Sequence, residues 1–246
     1  MGLTDLFFVR ILRGAVFEVV ARWRPLLRAL VLPAVLMTTS SYATQYLMQW
    51  QYTTTGSIEA LKVIGYVQLV VWLVLYVLFG MSCHRIILLG EESLPSRYGI
   101  YWTMRETRFL GWAILVGLIH TALTLPFHIL AMYLPPFWRD WSITWYVSVF
   151  LATYVDGRIS LVLPATAIGE RSSIVESWRL TRGYGLAIAI ALFVVAVATD
   201  LVSIGTRSVF ASTSDLARVM SNILQFPLVA VAVGVLSVTY RELRKE

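Results

Sequence analysis

The stretch Val63-Ile-Gly-Tyr-Val-Gln-Leu-Val-Val-Trp-Leu-Val-Leu-Tyr-Val-Leu-Phe-Gly-Met-Ser-Cys83 runs for 21 residues without an Asp, Glu, Lys or Arg. About 20 apolar residues in helical form match the hydrocarbon thickness of a bilayer, and in lipid only a helix pairs such a segment's backbone groups internally. The reading extends outward from there. Ala29 to Ser57, Phe109 to Trp138 and Val219 to Tyr240 are equally free of charge. A further apolar segment is interrupted only by Asp200, and another carries both Asp156 and Arg158. Six spans are therefore predicted, at about 26–48, 61–83, 109–132, 142–168, 183–206 and 218–240.

Composition agrees. Hydrophobic residues make up 58% of the chain and charged residues 14%, with a mean hydropathy of +0.74, whereas soluble domains carry about a quarter charged residues. A chain of 246 residues holds six spans with short connections, so residues 1–246 read as one membrane domain. The net charge of +6 comes from eighteen arginines and two lysines, clustered at the ends of apolar segments. That pattern belongs to a membrane boundary and argues against nucleic acid. Cys83, the single cysteine, excludes an intrachain disulfide and a CxxC site. The first 24 residues lack the cationic start, apolar centre and small-residue cleavage site of a signal peptide.

In a six-span arrangement, sixteen Lys and Arg residues fall on one side and four, Lys62, Arg139, Arg207 and Arg218, on the other. The positive-inside rule then predicts cytoplasmic N- and C-termini. Residues 1–25 are expected to form an amphipathic helix. Arg10, Arg13, Gly14 and Glu18 share one face, and Phe8, Leu12, Val16 and Val19 the other. Trp/Arg clusters precede spans 1, 3 and 5, with Trp23 and Arg28, Trp102 and Arg108, and Trp178 and Arg182 as interfacial anchors. Ser173-Ile-Val-Glu176 reads as a capping box opening the third cluster. The expected fold class is an all-α integral membrane protein, six transmembrane helices with amphipathic interfacial helices before spans 1, 3 and 5. The 80- and 74-residue intervals between Arg28, Arg108 and Arg182 are consistent with a threefold helical-hairpin repeat.

The most distinctive stretch is Tyr154-Val-Asp-Gly-Arg-Ile-Ser-Leu-Val-Leu-Pro-Ala-Thr-Ala-Ile-Gly-Glu170, followed by Ser177-Trp-Arg-Leu-Thr-Arg182. It resembles uncharacterised bacterial six-span membrane proteins of the YciC-like group and the membrane domain attached to some glycerophosphodiester phosphodiesterases. In those proteins an Arg on a late span leads into Leu-Pro-Ala and then a Ser-Trp-x-x-Thr-x-Gly-like segment. The matching positions are Arg158, Leu163, Pro164, Ala165, Ser177, Trp178, Thr181 and Gly183. Cys83-His-Arg-Ile-Ile-Leu-Leu-Gly-Glu91 resembles the alphaproteobacterial branch. The resemblance implies a fold and no catalytic chemistry, because this chain lacks the acidic and histidine metal cluster that such hydrolysis needs.

Asp156 and Arg158 lie roughly 15–18 Å from the cytoplasmic end of an uninterrupted helix. Ionisable groups at that depth face the bundle or water. They are the candidate polar cavity, receiving a lipid headgroup, an anion or a proton. The alternative is a structural network that fixes helix packing, with Pro164 bending the chain. Asp200 reads as a solvated acid near the outer interface. His84, His120 and His128 stand at different depths, which disfavours bis-His haem ligation, and no catalytic motif is present. No metal or cofactor is expected. Prolines 33, 126, 164 and 227 raise the question of broken helices of the transporter kind. The leading functional expectation is a non-enzymatic accessory, scaffold or assembly factor whose partners are membrane lipids and other integral membrane proteins. The alternative is a lipid or small-anion transporter or lipid-handling protein using Asp156 and Arg158.

Overall fold

The computed structural model describes residues 3–54, 56–94, 101–133, 143–209 and 215–245. The regular elements among them are helices: α1 (Leu3–Ala21), α2 (Trp23–Thr54), α3 (Ile58–Leu89), α4 (Met104–Tyr133), α5 (Ile143–Ile159), α6 (Val162–Ala167), α7 (Ile174–Leu180), α8 (Gly185–Val209) and α9 (Asp215–Leu243), with a 3-10 turn at Glu91–Ser93. Six spans are long and apolar enough to cross a membrane: α2, α3, α4, α5 continued by α6, α8 and α9. These coincide with the six spans expected. The helices overrun the expected ends of the first three spans because backbone hydrogen bonding continues past the apolar stretch into its polar flanks.

Local chemistry sets the breaks. Pro25 lacks the N–H that would bond Ala21, so α1 ends there and the Leu26 N–H bonds Arg22 O at 3.0 Å to start α2. Pro164 likewise cannot donate to Ser160. The Leu163 N–H takes that carbonyl instead, at 2.9 Å, and the fourth span is interrupted between α5 and α6. By contrast, α2, α4 and α9 continue through Pro33, Pro126 and Pro227, so these prolines do not make broken helices.

A closed ring forms the bundle: α3 packs on α4, α4 on α5, α5 on α8, α8 on α9 and α9 on α3. The hairpins α2/α3, α4/α5 and α8/α9 follow the expected hairpin order, but their packing differs. Helix α2 lies mainly on α3, outside the ring. Separate helices precede spans 1 and 5. Before span 3 the described residues show the 3-10 turn, and the cluster from Trp102 to Arg108 runs into the first turns of α4 itself. Residues 95–100, including Arg97, lie outside the described residues, as do Arg139 and the side chain of Arg218.

Helix α1 packs against α8 and α9, on a face rotated from the expected one but overlapping it, since Phe8 and Leu12 are partly buried against the same cluster and Val19 against a second one. Phe7, Ile11 and Ala15 are buried in a cluster with Leu161, Ala187, Ile188 and Val235, whereas Val16 is exposed. Two of the residues assigned to the polar face explain the rotation. A β-carbon on Gly14 would lie 3.1 Å from Val238 Cγ1, so glycine permits close approach to α9, and Glu18 binds Arg241 at 2.7 Å and Arg22 at 2.9 Å.

Candidate functional site

Asp156 and Arg158 are two residues apart on α5 and take separate partners, as residues at that spacing must. Asp156 faces α4, where its Oδ2 lies 2.6 Å from His120 Nδ1. Its Oδ1 is buried without a hydrogen-bond partner among the described residues. This carboxylate–imidazole pair ties the fourth span to the third, with one proton available to the hydrogen bond. Thr124 and His128 continue along the same helix: the Thr124 hydroxyl donates to His120 O at 3.0 Å, and His128 Nδ1 donates to Thr124 O at 2.8 Å.

Arg158 turns to α7. Its Nη2 donates to Trp178 O at 2.9 Å, Nε to the Thr181 hydroxyl at 3.3 Å and Nη1 to the Tyr154 hydroxyl at 3.4 Å. The guanidinium stacks on the Trp178 ring, 3.7 Å from its centroid, a geometry that combines cation–π attraction with planar contact. In return the Ser177 hydroxyl donates to Arg158 O at 2.6 Å. Gly185 makes room for the arginine stem, since a β-carbon there would lie 2.9 Å from Arg158 Cδ.

Five of the eight motif positions thus converge. Arg158, Ser177, Trp178 and Thr181 form the contact, and Gly183, at φ +87°, turns the chain from α7 into α8. The other three, Leu163, Pro164 and Ala165, are buried in α6. The Ser173 side chain accepts from the Glu176 N–H at 3.2 Å, as its capping-box spacing predicts. Of the two arrangements expected, separate partners or a shared crevice, the side chains show separate partners: Arg158 reaches α7 and its C-cap, and Asp156 reaches α4.

The anchors sit at one end of the bundle. Trp23, Trp102 and Trp178 are partly exposed, Arg108 and Arg182 are exposed, and Arg28 pairs with Glu91 at 3.2 Å. Two other arginines there have a role that charge counting missed. Arg22 donates to Ile86 O at 3.1 Å and also to Ile87 O, and buried Arg85 donates to Ala167 O at 3.2 Å and to Ser93 O. Arg22 thus adds to the end of α3, where the Gly90 N–H already bonds Ile86 O at 3.1 Å, and Arg85 ties the end of α6 to the 3-10 turn; a cation at a helix C-terminus also suits the helix dipole. Glu106, also missed, is buried and accepts from the Thr103 N–H at 2.6 Å, closing the start of α4; Thr103-x-x-Glu106 is the signal that could have found it.

At the opposite end Asp200 accepts from Trp145 Nε1 at 3.3 Å rather than standing free. His84 is buried, with Nδ1 2.8 Å from the Ser237 hydroxyl. Cys83 is fully buried. Among the described residues no group of three or more His, Cys, Asp or Glu side chains is arranged to hold a metal. No family model, curated protein or solved structure matches the chain.

Proposed function

We propose that this multi-pass protein is a non-enzymatic accessory, scaffold or assembly factor of the bacterial inner membrane. In this reading both termini are cytoplasmic and the protein associates with lipids and other integral membrane proteins. The observation that carries it is the engagement of Arg158. The cation carried by the fourth span is used to hold a short surface helix, α7, against that span, which is a positioning role. Apolar side chains exposed along α2 and α4, such as Val31, Val35, Leu118 and Leu125, supply surface for lipid or for a neighbouring membrane protein. The orientation rests on the arginine-rich end facing the cytoplasm. The YciC-like affinity is part of the same proposal: a shared contact between Arg158, Ser177, Trp178 and Thr181 gives those motif positions a common physical reason.

Replacing Arg158 with Leu tests the reading. Loss of folded protein together with any associated phenotype is expected. Full expression with selective loss of lipid or anion uptake would instead favour a transporter working through Asp156 and Arg158.

A further inference from the structure

At the arginine-rich end, a cavity of about 490 Å³ opens between the start of α4 and the loop that follows α6, a volume within the range of small-ligand sites. Arg105, Arg108 and Arg171 line its mouth. All three are exposed, and among the described residues none has a carboxylate partner. Of the other arginines at this end, Arg22, Arg28, Arg241 and Arg244 are each paired with a glutamate, whereas Arg24 and Arg182 are likewise exposed without a carboxylate partner among the described residues. Gly169, at φ +88°, lets the chain pass beneath the Arg105 guanidinium, and a β-carbon there would lie 3.6 Å from its Cζ. Glu170 also lines the cavity, but its carboxylate is bound by the Tyr240 hydroxyl at 2.6 Å and by Arg244. The mouth therefore keeps an uncompensated positive charge.

Along α4 the lining becomes apolar at Trp112 and Leu115, while Thr166 and Ser172 line it from the α6 side. Arg105, Arg108, Trp112 and Leu115 recur at helical spacing along one face of α4. Gly111 lies between them on an open stretch, where a β-carbon would meet nothing within 4 Å. The order from cationic mouth to apolar wall, running inward from the bundle end, is the order of a phospholipid's own parts.

We propose that this cavity binds the phosphate of an anionic phospholipid from the adjacent leaflet, with Arg105, Arg108 and Arg171 around the headgroup and an acyl chain along Gly111, Trp112 and Leu115. Guanidinium forks match phosphate oxygens bidentately. A soluble phosphate needs the mouth alone; the apolar wall is what selects a lipid. The inference rests on the arginine-rich end lying at a membrane surface and is independent of any protein partner.

The test is native mass spectrometry of the purified full chain with equal amounts of phosphatidylglycerol and phosphatidylcholine. The wild-type protein retains phosphatidylglycerol preferentially. The double variant Arg105→Gln/Arg108→Gln lowers that preference about tenfold or more at unchanged melting temperature. Gly111→Leu, which fills the groove and leaves the arginines intact, lowers retention of the lipid. Equal retention of the two lipids by the wild type, or an unchanged preference in a folded double variant, overturns the proposal. If the double variant fails to fold, Gly111→Leu alone decides. Displacement of the lipid by millimolar inorganic phosphate with no effect of Gly111→Leu would assign the cavity to a soluble anion and overturn the lipid claim. A wrong orientation would be revealed separately by cysteine labelling.

Discussion

The Arg158 guanidinium lies 3.7 Å from the centre of the Trp178 ring and donates a hydrogen bond to that residue's own carbonyl at 2.9 Å. A side chain from the fourth span thus grips both the face and the backbone of the short helix α7. The energetic consequences differ for each part of the contact.

Trp178→Ala removes the stacking surface and leaves the hydrogen bond to the carbonyl. In a double-mutant cycle with Arg158→Lys, thermal unfolding in detergent should give a coupling energy of about 1–2 kcal/mol. Additive effects would mean that the stacked geometry contributes nothing to stability.

Gly185→Ala should destabilise by about 1–3 kcal/mol, because its β-carbon would stand 2.9 Å from Arg158 Cδ and force the arginine off its position. Gly157→Ala should do the same between α5 and α8, where a β-carbon would lie 2.8 Å from Ile188 Cγ2. Gly111→Ala, whose β-carbon meets nothing, serves as the control and should be neutral or slightly stabilising. Melting temperatures of the three variants check the order.

Within the pair joining α4 and α5, His120→Leu leaves the Asp156 carboxylate in the bundle without its one hydrogen-bond partner among the described residues. It should cost about 2 kcal/mol or more. The double variant His120→Leu/Asp156→Leu should recover part of that loss, since the orphaned charge goes with it. A double variant less stable than His120→Leu would show that Asp156 has a further favourable contact.

Orientation is open to cysteine labelling, though the native thiol cannot report it. Cys83, at the end of the charge-free stretch of α3, is fully buried. Its silence is an advantage, because it can remain in place. Glu59→Cys, at an exposed position at the start of α3, should react with an impermeant maleimide in intact spheroplasts. Arg24→Cys, exposed at the start of α2, should react only after lysis. The reverse pattern would place both termini outside.

The spans were legible because a charge-free stretch such as Val63 to Cys83 admits one backbone solution in lipid. Caps and breaks were legible where the signal is local, as with Ser173 and Pro164. Pairings across the sequence were not. Nothing near Asp156 indicates His120, 36 residues earlier, and nothing near Glu18 indicates Arg241, 223 residues away. That second pairing turns Glu18, a residue of the expected polar face, toward α9. Arg85 was counted as a topological charge because a membrane-boundary arginine looks the same in sequence whether it meets phosphate or caps a helix carbonyl. The Arg158–Trp178 contact was half visible: the motif named the residues, and folding α7 back onto α5 brought them together.

The most direct measurement of the accessory role is gentle extraction from the native membrane followed by native mass spectrometry of the intact assembly. The account predicts this chain bound to an integral membrane protein at fixed stoichiometry, with the complex weakened when Trp178→Ala loosens α7. A chain recovered without any protein partner, and active in lipid or anion uptake once reconstituted into vesicles, would contradict it.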